Sequence, residues 1–251
     1  MSDDHCYLKN FFNGLHVKIK TSNEIIVEGE VQKIITQIDY DSWGIFVELK
    51  TGERGNTVEI VQTAEEKEDN ILISNFIYDL QRDESEKLEF KETWAFPVNP
   101  EKEISEITKI DKKQIRFFVA KTIAAFANSY GGTLYIGIQD RTKRIMGLDR
   151  DLKLLDEGKQ DRDGLRIQMM SSLESFFGRG NMIWEIIKIK FINREEKEIC
   201  VIKVEKSKFA LIATFGNNNY YFVRQNDSSK NYETMNNFLD YWTRHISENL
   251  L

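Results

Sequence analysis

Acidic side chains occur at the ends of two segments whose composition is typical of β-strands. Glu84, Glu86 and Glu89 lie in or just before ESEKLEFK, and Asp140 comes at the end of the apolar run TLYIGI. Carboxylates are hard oxygen ligands for Mg²⁺ or Mn²⁺, and such a metal lowers the pKa of a bound water. The alternative is that Glu84 and Glu86 are solvated residues before a strand and that Asp140 starts a hairpin turn.

A set of basic side chains could contact phosphate groups. Residues 109–153 contain 10 Lys and Arg against 4 Asp and Glu, although the whole chain has a net charge of -6. The candidates are Lys112, Lys113, Arg116 and Lys121 on a predicted helix, Arg141, Lys143 and Arg144 in a predicted hairpin, and Arg224 in the segment YYFVR. Within the segment YYFVR, Arg224 is the residue whose side chain we expect to be exposed. The alternative is a solvated helix face, and the overall acidity disfavours a non-specific nucleic-acid coat.

Several classes of site are disfavoured by the sequence. Two cysteines, Cys6 and Cys200, and three histidines cannot form a zinc site of the usual spacing. Neither GxxxxGK[ST] nor GxGxxG occurs, which disfavours ATP and NAD binding by those motifs, and no GxSxG elbow supports a serine nucleophile. No segment approaches the roughly 20 apolar residues of a membrane span. The N-terminus lacks a secretion signal, so we expect a cytoplasmic protein with no membrane partner.

The first part of the chain is acidic and rich in short strands. Residues 1–80 contain 7 Lys and Arg against 15 Asp and Glu. Four or five strands, with turn residues between them, predict a small SH3-like β-barrel over residues 1–62. Residues 63–80 are predicted to be an acidic linker and a helix. The acidic barrel favours a protein partner over nucleic acid.

The second part, residues 81–251, has the pattern of a mixed α/β domain, so the predicted class is α+β. Apolar residues spaced by four, four and three positions predict a helix over residues 112–132. LEFKETW is predicted to be a strand, TLYIGI a buried strand and RIMGL a returning hairpin strand. Further along we expect a second helix, a strand pair around NREEKE, two short strands and a terminal helix. Gly131 and Gly132 favour a helix-to-strand corner over a phosphate-binding loop, because glycine accepts positive φ. Cys200, in ICVIKV, is expected to be a buried thiol.

Two families resemble these segments. GLHVKIKT, VEGEVQKIIT, WGIFVEL and TGERGNTVEIV resemble the small bacterial YwbE-like domain, which implies an accessory binding barrel. LEFK, AKTIAAFANSYGGTLYIGIQD, IMGLD and YYFVRQNDSSK, in this order, resemble the Schlafen/AlbA-type domain over residues 84–232. That resemblance implies engagement of nucleic acid.

The resemblance also implies a set of site residues. In the Schlafens that cleave RNA, two glutamates five positions apart and an aspartate after the next strand form an acidic triad. Glu84, Glu89 and Asp140 match these positions, and would hold Mg²⁺ or Mn²⁺ with Lys91 beside them. Those enzymes contain two related lobes and a structural zinc site. This chain shows one lobe and no zinc motif, so a homodimer would be needed for a comparable groove.

Three functions follow as hypotheses. The first is nucleic-acid engagement, with RNA favoured over DNA, and with metal-dependent endoribonuclease activity on structured RNA such as tRNA. The second is a non-catalytic DNA-binding transcriptional regulatory module. The third is an oligomerisation module whose barrel recruits a partner protein. The segment FPVNPEKEISEITKID, which looks like an insertion, separates Glu89 from Asp140 and leaves their relative placement open.

Overall fold

A computed structural model describes residues 3–61, 64–96, 107–178 and 183–247. The chain divides into two compact units, residues 1–72 and residues 73–251. The division falls within residues 63–80, the segment predicted to be a linker. Strands and helices occur in both sequence halves, and the predicted α+β class is confirmed.

The first unit is built around a closed four-stranded barrel. Two short 3₁₀ turns, Asp3–Cys6 and Leu8–Asn10, precede the strands. The strands are β1 (His16–Thr21), β2 (Ile26–Ile34), β3 (Phe46–Leu49) and β4 (Arg54–Ile60). Each pairs antiparallel with its neighbours, and β1 pairs with β4 to close the barrel.

Alternation along these strands produces the barrel core. Val17 and Ile19 in β1, and Val47 and Leu49 in β3, are buried, while the residues between them are partly exposed. Side chains on a strand alternate between faces, so period-two apolar residues line the interior of a small barrel. Helix α1 (Ala64–Leu80) follows the barrel and extends across the boundary between the units.

The second unit contains a four-stranded mixed sheet in the order β5-β6-β8-β7. Its strands are β5 (Leu88–Lys91), β6 (Gly132–Ile136), β7 (Ile187–Arg194) and β8 (Lys197–Val204). β5 and β6 are parallel and are joined through helix α2 (Lys109–Ala127), whereas β6, β8 and β7 pair antiparallel. This arrangement makes β5 an edge strand of the sheet.

Helix α2 is the central packing element of this unit. Thr108 accepts a hydrogen bond from the Asp111 amide, and the Asp111 carboxylate accepts one from the Thr108 amide, which is a complete capping box. The second half of the helix, from Phe117 to Ala127, is mostly buried against the two sheets. The predicted helix is therefore present, although it spans Lys109–Ala127 rather than residues 112–132, and most of its apolar positions after Phe117 lie in the core.

The remaining elements complete the second unit. They are the helices α3 (Asp149–Leu152), α4 (Arg162–Phe177), α5 (Ile183–Ile186) and α6 (Met235–Ser247), and the strands β9 (Ala213–Phe215), β10 (Asn218–Gln225) and β11 (Ser228–Tyr232). β10 lies between β9 and β11 in a three-stranded sheet. Cys200 is buried, as expected, and burial raises the pKa of its thiol.

One local prediction is wrong, and one strand was not predicted. RIMGL does not form a strand, since of its residues Ile145 makes a single bridge, to Ile138. β11 was not predicted, because its sequence SSKNY lacks an apolar alternation. Most of FPVNPEKEISEITKID, the segment that looks like an insertion, lies outside the described residues.

Candidate functional site

Glu84 binds the free edge of β5. Its carboxylate accepts a hydrogen bond of 2.8 Å from the Phe90 amide, which faces away from β6. The chain reaches this position because Ser85 and Leu88 form a tight antiparallel bridge just before the strand. Glu84 therefore pairs an edge amide that would otherwise need water.

Glu89 and Lys91 lie two positions apart on β5 and project from the same face. Glu89 is only 5% exposed. One of its carboxylate oxygens pairs with the Lys91 ammonium, and Oε2 lies 2.6 Å from Nη2 of Arg224. This second contact is an ion pair without an aligned hydrogen bond. Glu89 is thus a buried anion held between two cations.

Asp140 lies in an exposed turn after β6. Its side chain is 53% exposed, and its Oδ1 lies 3.5 Å from Nζ of Lys143. Lys143 has a left-handed backbone with φ of 55°, and its ammonium lies 4.0 Å from the centre of the Phe90 ring. The turn thereby places Asp140 and Lys143 beside the strand that carries Glu89.

The electrostatics of Glu84 link the predicted acidic residues. Burial is the main cause that raises the pKa of Glu84, and the carboxylates of Glu89 and Asp140 raise it further. The Phe90 amide and the Lys91 ammonium oppose this shift. Glu89, Asp140 and Lys91 therefore all act electrostatically on Glu84, although helix α2 separates Asp140 from the others in the chain.

A metal site needs these carboxylates to share an ion. Across the part of the chain that the structure describes, no group of three or more His, Cys, Asp or Glu side chains is arranged to hold a metal ion. Glu89 would have to break its ion pair with Lys91 or with Arg224 to become a metal ligand. The residues as arranged do not fit a three-carboxylate site, and Mg²⁺ or Mn²⁺ stays a prediction from resemblance.

The expectation that Arg224 is exposed is wrong. Arg224 is 3% exposed, and its guanidinium donates hydrogen bonds to the carbonyls of Ser85, at 3.0 and 2.8 Å, and Leu88, at 3.2 Å. It also lies over the Phe126 ring, 5.0 Å from its centre. Arg224 and Phe222 lie two positions apart on β10 and so share a face, and that face points into the core. Arg224 joins β10 to the turn before β5 and cannot reach phosphate.

The predicted basic residues are divided between several environments. Lys113 and Lys121 lie over the rings of Phe215 and Phe222, at 5.5 and 5.8 Å from the ring centres, and Lys112 is half-buried. Arg116 is half-buried too, and burial lowers its pKa, while Asp151 opposes this. The helix therefore does not present one continuous exposed basic stripe.

The turn after β6 carries cations that are more accessible. Arg141 and Arg144 are exposed, and Lys143 lies between them in the chain. They share this turn with Asp140, so exposed positive charge lies in the same turn as one of the predicted acidic residues.

The segment after α2 contributes buried polar residues that were not among the predicted site residues. The Asn128 amide donates to the carbonyls of Leu211 and Phe222, at 2.8 and 2.9 Å, and accepts from the Leu211 amide at 2.8 Å. The Ser129 hydroxyl accepts from the Arg224 amide at 2.8 Å. These buried side chains fix β10, and hence Arg224, against the end of α2. Two polar residues directly after a long apolar helix were the available signal.

Gly131 and Gly132 form the expected corner into β6. Gly131 has φ of 70°, and a Cβ there would lie 2.7 Å from the Val204 carbonyl oxygen. At Gly132 a Cβ would lie 2.9 Å from the Lys87 carbonyl oxygen. Both glycines are required by close backbone approach, which accounts for them without a phosphate ligand.

A cleft opens between the end of β5 and the first half of α2. Its volume is about 400 Å³. It is lined by Lys91, Glu92, Thr93, Asp111, Gln114, Ile115, Phe118 and Val119. Lys91 therefore borders both the acidic group and this cleft.

The comparison with protein families identifies the second unit. Residues 84–233 match the model of the Schlafen, AlbA_2 family. The match covers more than half of the chain. The chain belongs to the Schlafen/AlbA_2 family. The resemblance of residues 84–232 to the Schlafen/AlbA-type domain is therefore confirmed. Membership of this family supports a nucleic-acid-associated function.

Solved structures with low similarity are also found. One is a protein of Corynebacterium diphtheriae, with 17% identity and a TM-score of 0.45, covering 72% of this chain and 34% of that one. Another is the N-terminal domain of a Nitrosomonas europaea protein described as related to the ATP-dependent DNA helicase RecG, with 18% identity, a TM-score of 0.36, and coverage of 64% and 90%. The chain spans about a third of the first protein. Neither similarity is high enough to support a functional argument.

In the described ranges, none of the helices combines the length and apolar character needed to cross a bilayer.

Proposed function

We propose that the Schlafen/AlbA_2 domain of this protein binds nucleic acid, RNA in preference to DNA, through the turn at residues 139–144. The observation that carries the proposal is the exposure of Arg141 and Arg144 in the same turn as Asp140. Phosphate contacts position a nucleic acid, and Arg is the residue best suited to them.

Charge distribution supports a local contact. Residues 1–80 have 8 more acidic than basic residues, whereas residues 81–251 have 28 Lys and Arg against 26 Asp and Glu, a net of +2. A nucleic acid is therefore attracted to the second unit and to its exposed cations. Each phosphate contact contributes about 0.7 to 0.9 to the slope of log affinity against log salt.

Binding of labelled tRNA and of a DNA duplex of similar length, measured over a salt series, tests the proposal. We expect Arg141→Ala with Arg144→Ala to weaken tRNA binding at least tenfold and to reduce the salt slope by about 1.5. Lys188→Ala is the matched control, because Lys188 is exposed on β7, at the opposite edge of the sheet from β5. Equal losses in both variants, or no binding of either nucleic acid near physiological salt, would contradict the proposal. Tighter binding of DNA would favour the regulatory module.

Endoribonuclease activity on structured RNA such as tRNA is the second candidate. It is favoured by Glu84, whose raised pKa and proximity to the Glu89 and Asp140 carboxylates are typical of groups that transfer protons in catalysis. Lys91 could stabilise negative charge on phosphate oxygens. The described carboxylates do not fit a metal site as arranged, so this candidate rests on proton transfer by Glu84 and charge stabilisation by Lys91.

Incubation of the full chain with tRNA, with Mn²⁺ or with EDTA, tests this activity. Asp140→Asn is the informative variant, because Asp140 is exposed and its replacement leaves the buried pair intact. Glu89→Ala is a poor choice, because loss of Glu89 leaves Arg224 buried without its anion. We expect cleavage in the unsubstituted protein and at least a hundredfold loss in Asp140→Asn. Full cleavage by Asp140→Asn, or none by the unsubstituted protein with Mn²⁺, would remove the hypothesis.

A further inference from the structure

The first unit exposes a group of aromatic side chains that its core does not use. Tyr7, Tyr40 and Trp43, here called the aromatic patch, are 40%, 49% and 82% exposed. The rings of Tyr7 and Tyr40 contact each other, with centroids 5.0 Å apart. Clustered large aromatic residues on a surface mark interaction sites more often than isolated ones do.

The backbone holds this patch in place. Tyr7 and Tyr40 form an antiparallel bridge, the Leu8 amide donates to the Asp39 carbonyl at 3.0 Å, and the Asp41 amide donates to the Cys6 carbonyl at 2.9 Å. The N-terminal turns and the loop between β2 and β3 are thereby joined. The aromatic patch is consequently a prearranged surface, which lowers the entropy cost of binding.

Trp43 is held by its own turn. The Asp41 carboxylate accepts a hydrogen bond of 2.9 Å from the Trp43 amide. The next residue, Gly44, has φ of 90°, and a Cβ there would collide with the Thr57 carbonyl oxygen of β4. The turn is therefore fixed against the barrel while the indole remains exposed.

The charges around the patch indicate the chemistry of its ligand. Asp4, Asp39 and Asp41 lie in the same two segments, and Asp4 and Asp39 are exposed. The ammonium of Lys9 lies over the Tyr7 ring, 5.4 Å from its centre, so a ring of the patch already faces a cation. Aromatic faces bordered by carboxylates favour Lys and Arg side chains by cation–π and Coulomb attraction. The same carboxylates repel phosphate.

We propose that the aromatic patch binds a basic peptide segment of a partner protein. The occupant is an extended segment with Lys or Arg side chains that lie against Tyr40 and Trp43 while Asp39 supplies a counter-charge. This inference is independent of nucleic-acid binding, because it rests on the first unit alone.

Binding of three labelled probes to the full chain tests the proposal by fluorescence anisotropy. The probes are a decapeptide of alternating Arg and Pro, the same peptide with Glu in place of Arg, and a single-stranded oligonucleotide of ten bases. We expect only the basic peptide to bind through the patch, and we expect it to quench the fluorescence of Trp43. Trp43→Ala should weaken its binding about tenfold, and Trp43→Phe should restore most of it.

Two further variants separate the patch from general acidity. Asp39→Asn should weaken binding severalfold and reduce its salt dependence. Ile25→Ala is the control. Ile25 is 60% exposed and lies just before β2, whereas the loop that carries Tyr40 and Trp43 follows the other end of that nine-residue strand. Equal binding of the basic peptide by Trp43→Ala and Ile25→Ala would overturn the proposal. Tighter binding of the oligonucleotide, lost in Trp43→Ala, would overturn it in favour of base stacking.

Discussion

At the scale of single residues, the charged form of Glu84 lowers the stability of the folded protein because its carboxylate is partly buried. A catalytic or binding role would have to offset this loss of stability. Its folded pKa is raised above 4.5, so the folded state binds more protons than the unfolded state in the pH range just above 4.5. The stability of the protein therefore falls as pH rises from the unfolded pKa through the folded pKa.

Glu84→Gln should be more stable than the unsubstituted protein at pH 7, because glutamine still accepts the Phe90 hydrogen bond and is not charged. The difference in melting temperature should shrink below pH 4.5, where Glu84 is protonated in both states. Thermal unfolding at pH 7 and pH 4 measures this, with the exposed Glu86→Gln as the control for loss of one charge. A lower melting temperature for Glu84→Gln at pH 7 would show that Glu84 is stabilised as an anion.

Arg224 is predicted to be required for folding. Its removal would leave Glu89 buried beside Lys91 alone and would also leave the Ser85 and Leu88 carbonyls without its hydrogen bonds. We expect Arg224→Ala to cost about 3–5 kcal/mol of unfolding free energy. Arg224→Lys should restore little, because an ammonium cannot reproduce the planar set of donors.

Chemical denaturation measures both Arg224 variants. Arg144→Ala is the matched control, because Arg144 is exposed, and we expect a change within about 0.5 kcal/mol. A similar small change in Arg224→Ala would mean that the buried ion pair adds nothing net.

The sequence predicted a set of candidate site residues but not their surroundings. Glu84, Glu89 and Asp140 were proposed from spacing and resemblance, and the carboxylates of Glu89 and Asp140 lie close enough to Glu84 to raise its pKa. The burial of Arg224 was missed because its partners, the Ser85 and Leu88 carbonyls, are backbone groups distant in the chain. Alternation gives the face of a strand residue but not what covers that face.

At the scale of elements, the end of α2 and strand β10 depend on each other. The Asn128 side chain forms hydrogen bonds with one amide and two carbonyls of the segment 211–222, and all of these groups are buried. Loss of this side chain would leave those groups unpaired away from water. Each unpaired buried group costs about 1–3 kcal/mol.

Asn128→Ala is therefore expected to cost about 3 kcal/mol or more. Asn128→Asp should not restore stability, since a carboxylate would face two carbonyl oxygens. Urea unfolding monitored by circular dichroism measures the loss, and Asn218→Ala, at an exposed position of β10, is the control. A loss below 1 kcal/mol in Asn128→Ala would indicate that water replaces the amide.

Elements with a clear apolar pattern were predicted and those without one were not. Helical spacing was sufficient for α2, whereas β5 and β6 are short segments in which consecutive residues are buried. RIMGL has strand composition, yet Gly147 has φ of 77° and the segment turns away after one bridge at Ile145. β11 is held by backbone pairing to β10, which its polar sequence does not reveal.

At the scale of the whole molecule, the proposed function places one nucleic-acid contact turn on the Schlafen/AlbA_2 domain matched by residues 84–233. The resemblance to two-lobed enzymes suggests that a second copy supplies the other side of a groove, and we propose a homodimer related by a two-fold axis. Static light scattering after gel filtration should give twice the chain mass of 29.5 kDa. A monomer that binds tRNA with a stoichiometry of one would exclude the need for a second copy.

The architecture of each unit was more accessible to sequence reasoning than the chemistry at its surface. Short alternating strands and acidic composition predicted the barrel, and its strands close as β1-β2-β3-β4. The aromatic patch was not predicted, because Tyr7 and Tyr40 meet only when the N-terminal turns pair with the loop before β3. Such surfaces depend on loop conformation, for which the sequence has no periodic signal.

The contact of Arg224 with the turn before β5 has a consequence for protein synthesis. The guanidinium binds the Ser85 carbonyl, 139 positions earlier in the chain. At a translation rate of about 5–20 residues per second, Arg224 is synthesised roughly 7 to 28 seconds after Ser85. The nascent second unit cannot form the contacts of Arg224 with Ser85 and Glu89 during that interval, because β10 has not yet been made.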